Sequence, residues 1–138
     1  MTMGEHHPAT SPQEAQALAE RVAADMYGRD RASQSLGMKI DGVGPGHAEL
    51  TMAVREDMLN GHAICHGGFI FSLADSAFAF ACNSYNMTTV ASGCAIDFVA
   101  PARPPAARIE RAMTVAHVSM SFRVYPTTVG LPVVPDDA

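Results

Sequence analysis

The sequence predicts an α+β fold in which a curved antiparallel sheet wraps one long apolar helix, with a further helix at the N-terminal side. Three observations carry this prediction. Residues 36–43 and 47–54 alternate polar and apolar positions on either side of Gly44-Pro45-Gly46. Residues 67–83 (GGFIFSLADSAFAFACN) are apolar on every side, with Asp75 as their single ionisable carboxylate. Residues 88–100 (TTVASGCAIDFVA) return to strand character and end at Pro101. Strand pair, helix, then strands is an α+β order, unlike the regular strand–helix alternation of a doubly wound sheet.

The elements follow in chain order. Residues 1–11 are polar and read as a disordered leader, with 12–138 as one domain. Ser11, Pro12 and Glu14 supply an N-cap, a proline at the first helical position and acid in the first turn. Ala15, Leu18, Val22 and Met26 continue at helical spacing, so a helix is expected to about Met26. A hairpin is expected over 36–54, with Ala48, Leu50, Met52 and Val54 on one face of its second strand. Residues 55–66 break the alternation and read as a loop. The helix from Gly67 to about Asn83 is too short to cross a bilayer, so it belongs inside a core, enclosed on all sides. Phe69, Phe71, Phe78 and Phe80 are most simply part of that core.

Composition narrows the function classes. At 138 residues, 48 % hydrophobic and 17 % charged, the chain has material for one compact core. No run approaches the ~18 to 20 apolar residues of a membrane span, and the opening residues have no basic region leading into an apolar one. Cys65, Cys82 and Cys94 form an odd, widely spaced set, which fits a reducing compartment; a soluble cytoplasmic protein is expected. The net charge of −5 disfavours nucleic acid as a partner. No Lys or Arg falls between Arg55 and Arg103, so an anionic ligand would meet Arg103, Arg108 and Arg111 or backbone amides.

The chemistry concentrates where Asn60-Gly61-His62-Ala63-Ile64-Cys65-His66-Gly67-Gly68 enters the helix. The first amides of a helix lack internal partners and sit at the positive end of its dipole. After a Gly-Gly pair they can hold the oxyanion of an acyl-transfer intermediate. The alternative is that Gly67 and Gly68 only permit tight packing. Asp75 lies about two turns and roughly 12 Å further along the helix. Phe71, Ser72, Phe78 and Ala79 surround it at helical spacing, and such desolvation raises a carboxylate's pKa and basicity. Its alternative is a structural aspartate hydrogen-bonded to Ser72 or Ser76. Since the helix start and Asp75 are far apart within one chain, a symmetric dimer could bring one subunit's loop beside the other's helix. His62, Cys65 and His66 lack a clear fourth metal ligand, so no metal is expected. A Cys65–His dyad for nucleophilic catalysis has no identifiable orienting partner.

The run N-G-H-x-x-C-H-G-G-x-x-F-S-L-A-D-x-A-F-A-x-A-C-N-S, residues 60 to 84, resembles the signature of the phenylacetate-degradation thioesterases of the hotdog superfamily. A-S-x-C-x-I-D-F-x-x-P over 91–101 is similar to that family as well, and with Leu36-Gly37-Met38 and the hairpin the likeness covers residues 15 to 104. It implies a hotdog fold, dimers that pair into tetramers, active sites at the dimer interface, and hydrolysis of phenylacetyl-CoA or a ring-hydroxylated relative. By position, Asp75 would be general base or nucleophile, and the Gly67 amide would polarise the thioester carbonyl. Asn60 would orient the attacking water or the carboxylate. His66, Gly68, Ser84, Phe98 and Arg103 would bind substrate. No cofactor is implied, coenzyme A being part of the substrate. A non-catalytic acyl-CoA-binding protein and an acyl-thioester dehydratase are the competing functions.

The likeness stops near residue 104. Family members continue with G-D and long strands bearing a G-R-x-x-x-Y pattern, whereas this chain reads PPAARIERAMTVAHVSMSFRVYPTTVGLPVVPDDA. Residues 109–118 and 119–125 could each form a strand, and Pro126, Pro132 and Pro135 leave little room for a long central one. The tail is either a divergent, shorter finish or the product of a changed reading frame near residue 104.

Overall fold

The computed structural model describes residues 11–91, 94–98, 100–104, 108–110 and 124–125. Helix α1 (Pro12–Arg29) begins where Ser11 accepts the Glu14 N–H at 3.2 Å. Ser11 is thus the helix cap that the sequence predicts; residues 1–10 lie outside the described residues. The helix passes Met26 by most of a turn because Tyr27 is anchored beyond it. The Tyr27 hydroxyl donates to the Met38 carbonyl at 2.6 Å, and its ring lies 6.3 Å from that of Phe80.

Asp30 then stops α1 and caps a short helix, α2 (Arg31–Ser35), that the hydrophobic pattern does not reveal. Its carboxylate accepts from the Ser33 N–H at 2.9 Å and from the Ser33 hydroxyl at 2.5 Å. With its own proton so engaged, the buried Ser33 hydroxyl accepts from Ser76 at 2.8 Å, tying α2 to the central helix. The expected strand at residue 36 starts three residues later. Leu36 closes α2 and Gly37 takes φ +67°, the left-handed conformation in which helices commonly end, so the LGM segment is a helix exit.

Strands β1 (Lys39–Gly44) and β2 (His47–Ala53) form the expected hairpin, with Asp41 as an extra, bulged residue between the Ile40–Leu50 and Gly42–Glu49 pairs. Ala48, Leu50, Met52 and Val54 are all buried, as the alternation predicts. The turn needs Gly46: its φ is +69°, and a Cβ there would sit 2.7 Å from the Tyr85 hydroxyl. Gly46→Ala is therefore expected to cost about 1–3 kcal/mol, measured as a lower urea midpoint with an unchanged slope.

The central helix α3 runs Gly67–Asn83 and packs on β2, α1 and α2. Leu73, Ala74, Ala77, Phe80 and Ala81 enter a core shared with Met38, Leu50, Met52 and Met58. The described residues do not enclose the helix on all sides, however. Phe71, Ser72, Phe78, Ala79 and Cys82 are only partly covered and Asp75 is exposed, so one stripe of α3 faces away from the chain's own core. Of the four phenylalanines assigned to the core, Phe80 alone is buried, while Phe69, Phe71 and Phe78 are half-buried.

After α3, Asn83 braces the chain against Thr89, donating to its carbonyl at 2.8 Å and accepting its N–H at 2.9 Å. Of the strand expected over 88–100, the described residues place Val90–Ala91 in strand β3 and leave 94–98 without regular structure; residues 92, 93 and 99 lie outside the described residues. Strand β4 (Arg108–Glu110) adds antiparallel to β2, giving the order β1-β2-β4. Strand β5 (Val124–Tyr125) pairs antiparallel with β3 in a second, two-stranded sheet. The rest of the expected strands over 109–118 and 119–125, and Pro126, Pro132 and Pro135, lie outside the described residues.

Candidate active site

The segment from Leu59 to His66 is a small closed hairpin. The His66 N–H donates to the Met58 carbonyl at 2.8 Å and the Asn60 N–H to the Ile64 carbonyl at 2.9 Å, flanking a Leu59–Cys65 bridge. Ala63 accommodates the reversal with φ +56°. Inside the turn, Asn60 Oδ1 accepts the N–H groups of His62 (2.9 Å) and Ile64 (3.4 Å). The network thereby fixes the amide's orientation and leaves Nδ2 as the group with no partner among the described residues. Asn60→Ala strips acceptors from two loop amides; a loss of about 1 kcal/mol in urea unfolding is expected.

The hairpin delivers the chain to the start of α3, where the amides are divided. His66 caps the helix: its Nδ1 accepts the Gly68 N–H at 3.0 Å, so the neutral imidazole carries its proton on Nε2. The Phe69 N–H donates to the His66 carbonyl at 3.0 Å. Gly67 is left with an N–H that has no partner among the described residues, at the positive end of the helix. It opens on a cavity of about 490 Å³ lined by Asn60, Ile64, Cys65, Gly67, Ile70 and Phe98 together with Ala100 and Pro101.

Asn60, Gly67 and Phe98 thus share one cavity, and His66 and Gly68 adjoin it through their mutual hydrogen bond. Asp75 does not line it. The aspartate lies on the open stripe of α3 with no hydrogen bond or ion pair among the described residues. The apolar side chains around it still push its carboxyl above the usual carboxylate range. The serines that could have held a structural aspartate are occupied elsewhere: Ser72 donates to the Gly68 carbonyl and Ser76 to Ser33.

Ser84 is at the opposite end of α3, where its buried hydroxyl accepts the Gly46 N–H and donates to the Ala81 carbonyl, both at 2.7 Å. In this chain it joins helix to hairpin. Arg103 is exposed and follows Ala102, whose carbonyl receives the Cys65 N–H at 2.8 Å. The Cys65 thiol is directed at the backbone carbonyl of His66 (3.7 Å), and burial raises its pKa, so it does not form a dyad with the imidazole. The wall residue Ile70 escaped the sequence reading, although it lies three positions after Gly67, one turn on along the same helix face.

Known proteins bear on this arrangement. The thioesterase superfamily matches residues 62–125. The chain is 53 % identical over 76 residues to the acyl-coenzyme A thioesterase PaaI of Escherichia coli (strain K12), a match covering 55 % of this chain and 54 % of that protein. It resembles the solved structure of the E. coli PaaI protein from the phenylacetic acid degradation operon with a TM-score of 0.64, at 47 % identity over 64 % of each chain. A mutant structure of the phenylacetic acid degradation protein PaaI from Thermus thermophilus matches with a TM-score of 0.56 and 32 % identity, covering 75 % of this chain and 90 % of that one. The chain spans about half the length of the curated relatives it matches. Helix, sheet and loop together have the hotdog architecture of these structures, and the chain belongs to the PaaI family.

Proposed function

We propose that this chain hydrolyses acyl-CoA thioesters to a free acid and coenzyme A. The observation that carries the proposal is the division of amides at the start of α3. Gly68 and Phe69 are engaged locally, and the Gly67 N–H is left for a ligand at the mouth of a largely apolar cavity. A donor fixed there strengthens its bond to the thioester oxygen as that oxygen gains negative charge in the tetrahedral intermediate.

Asp75 supplies the base. Its carboxylate takes a proton from water as the water oxygen bonds to the carbonyl carbon; collapse breaks the C–S bond, and the proton passes to the departing CoA thiolate. Direct attack by Asp75, giving a mixed anhydride that water then cleaves, uses the same residue from nearly the same position. Either route needs Asp75 beside a Gly67 amide, and one chain does not bring them together. The open stripe of α3, apolar apart from Asp75 and Ser72, supports a homodimer in which each site combines the Gly67 loop of one subunit with the Asp75 of the other. Pairing of dimers into a tetramer is part of the same proposal.

The acyl group is proposed to be phenylacetyl or a ring-hydroxylated relative, in keeping with the phenylacetic acid degradation named for the E. coli and Thermus proteins. His66, Gly68 and Phe98 would contact the substrate around the cavity, and the exposed Arg103 suits the phosphates of CoA. Three free cysteines favour a cytoplasmic setting, and no described helix is long and apolar enough to cross a membrane. The test is free-thiol release from phenylacetyl-CoA, hydroxyphenylacetyl-CoA and aliphatic acyl-CoAs. Turnover supports the proposal. Tight binding without thiol release by folded protein overturns it and leaves an acyl-CoA-binding protein.

A further inference from the structure

The contact between Phe98 and Gly67 joins residues on two separate segments at the cavity mouth. A Cβ added at Gly67 would sit 2.9, 3.2 and 3.3 Å from three carbons of the Phe98 ring, whereas carbons in contact normally stand about 3.5–4.0 Å apart. The ring therefore rests on the bare Cα of Gly67, and any other residue there would push it away. Phe98 is 54 % exposed even so, and its segment takes no regular structure, so this aromatic face is held on one side and open on the other. It stands over the same cavity as Asn60 and the free Gly67 amide.

We propose that Phe98, seated on Gly67, is the residue that selects aromatic acyl groups. Its open ring face is a stacking wall for an aryl group whose thioester carbonyl points at the Gly67 N–H. Gly67 then has two separate jobs: its N–H meets the carbonyl, and its missing side chain lets the Phe98 ring come close. None of the other lining side chains, Asn60, Ile64, Cys65, Ile70, Ala100 and Pro101, is aromatic. Aromatic pairs gain more than their buried area alone provides, whereas straight alkyl chains gain only area.

This proposal rests on the thioesterase function, and its test separates the two. For wild type, Phe98→Leu and Phe98→Tyr, kcat/KM is measured by thiol release on phenylacetyl-CoA and hexanoyl-CoA. Only the ratio between the two substrates is compared. The ratio is expected to fall roughly 3- to 10-fold in Phe98→Leu, the range that loss of an aromatic pair allows, and to survive in Phe98→Tyr. Gly67→Ala, which displaces the ring, should lower the same ratio, and it should no longer do so when added to Phe98→Leu. Turnover with a ratio unchanged in Phe98→Leu, or Gly67→Ala acting equally with and without the ring, overturns the selecting role while leaving the thioesterase function standing. Absence of thiol release by wild type overturns both.

Discussion

Asp75→Asn is expected to lower thiol release from acyl-CoA by roughly 100-fold or more, the scale on which a positioned acid–base group contributes. The asparagine fills the same space and leaves the helix intact, but it can neither take a proton from water nor attack a carbonyl. Circular dichroism and the oligomeric state should match wild type, because Asp75 makes no hydrogen bond or ion pair among the described residues. A carboxylate raised by desolvation also predicts the pH profile. The ionised form is the base, so kcat/KM climbs with pH through a pKa above the usual carboxylate range.

Stability moves the other way. A native pKa above the unfolded one means that the folded chain binds the proton more tightly. The contribution of Asp75 is therefore greatest at low pH and is lost as pH rises from the ordinary carboxylate pKa through the raised native value. Asp75→Asn removes that decline, so the variant should be at least as stable as wild type at neutral pH in urea unfolding. A rate unchanged by the substitution would remove Asp75 from the chemistry.

Phe80→Ala carries the largest expected loss of stability, about 3–5 kcal/mol. Phe80 is 1 % exposed on the core face of α3 and meets the Tyr27 ring of α1. Truncation removes that contact and leaves a cavity within a cluster that holds Leu73, Ala77 and Met38. Typical domains have only about 5–15 kcal/mol in total, so the variant should unfold at a much lower urea midpoint or fail to accumulate. Phe71→Ala is the comparison. The same ring is lost from the half-covered stripe, and the single chain should tolerate it far better. Equal losses at the two positions would mean that the stripe is as enclosed as the core.

The open stripe also marks a difference between what periodicity reveals and what packing decides. An all-apolar helix was correctly legible from Gly67 to Asn83, and its enclosure was inferred from that composition. Composition reports what a helix can bury, not which of its sides the same chain covers. The covered side, Leu73, Ala74, Ala77, Phe80 and Ala81, is set by β2 and α1, elements more than a dozen residues away in sequence. Ser84 teaches a similar lesson: its place in the family-like motif suggested substrate, yet its hydroxyl is buried between Gly46 and Ala81. The short helix after Asp30 escaped because it rests on the Ser33–Ser76 hydrogen bond and a side-chain cap, neither of which has a hydrophobic period.

What the sequence determined by itself was therefore local. It encoded the Ser11 cap, the hairpin with Ala48, Leu50, Met52 and Val54 inward, the Gly67–Asn83 helix and the loop that feeds it. Each depends on neighbours within a few residues, where spacing and backbone preference act directly. Tertiary structure alone decided that Phe98 rests on Gly67 from 31 positions away and that Asp75 faces outward. Those outcomes come from long-range packing, in which a side chain's direction depends on what the rest of the fold leaves uncovered.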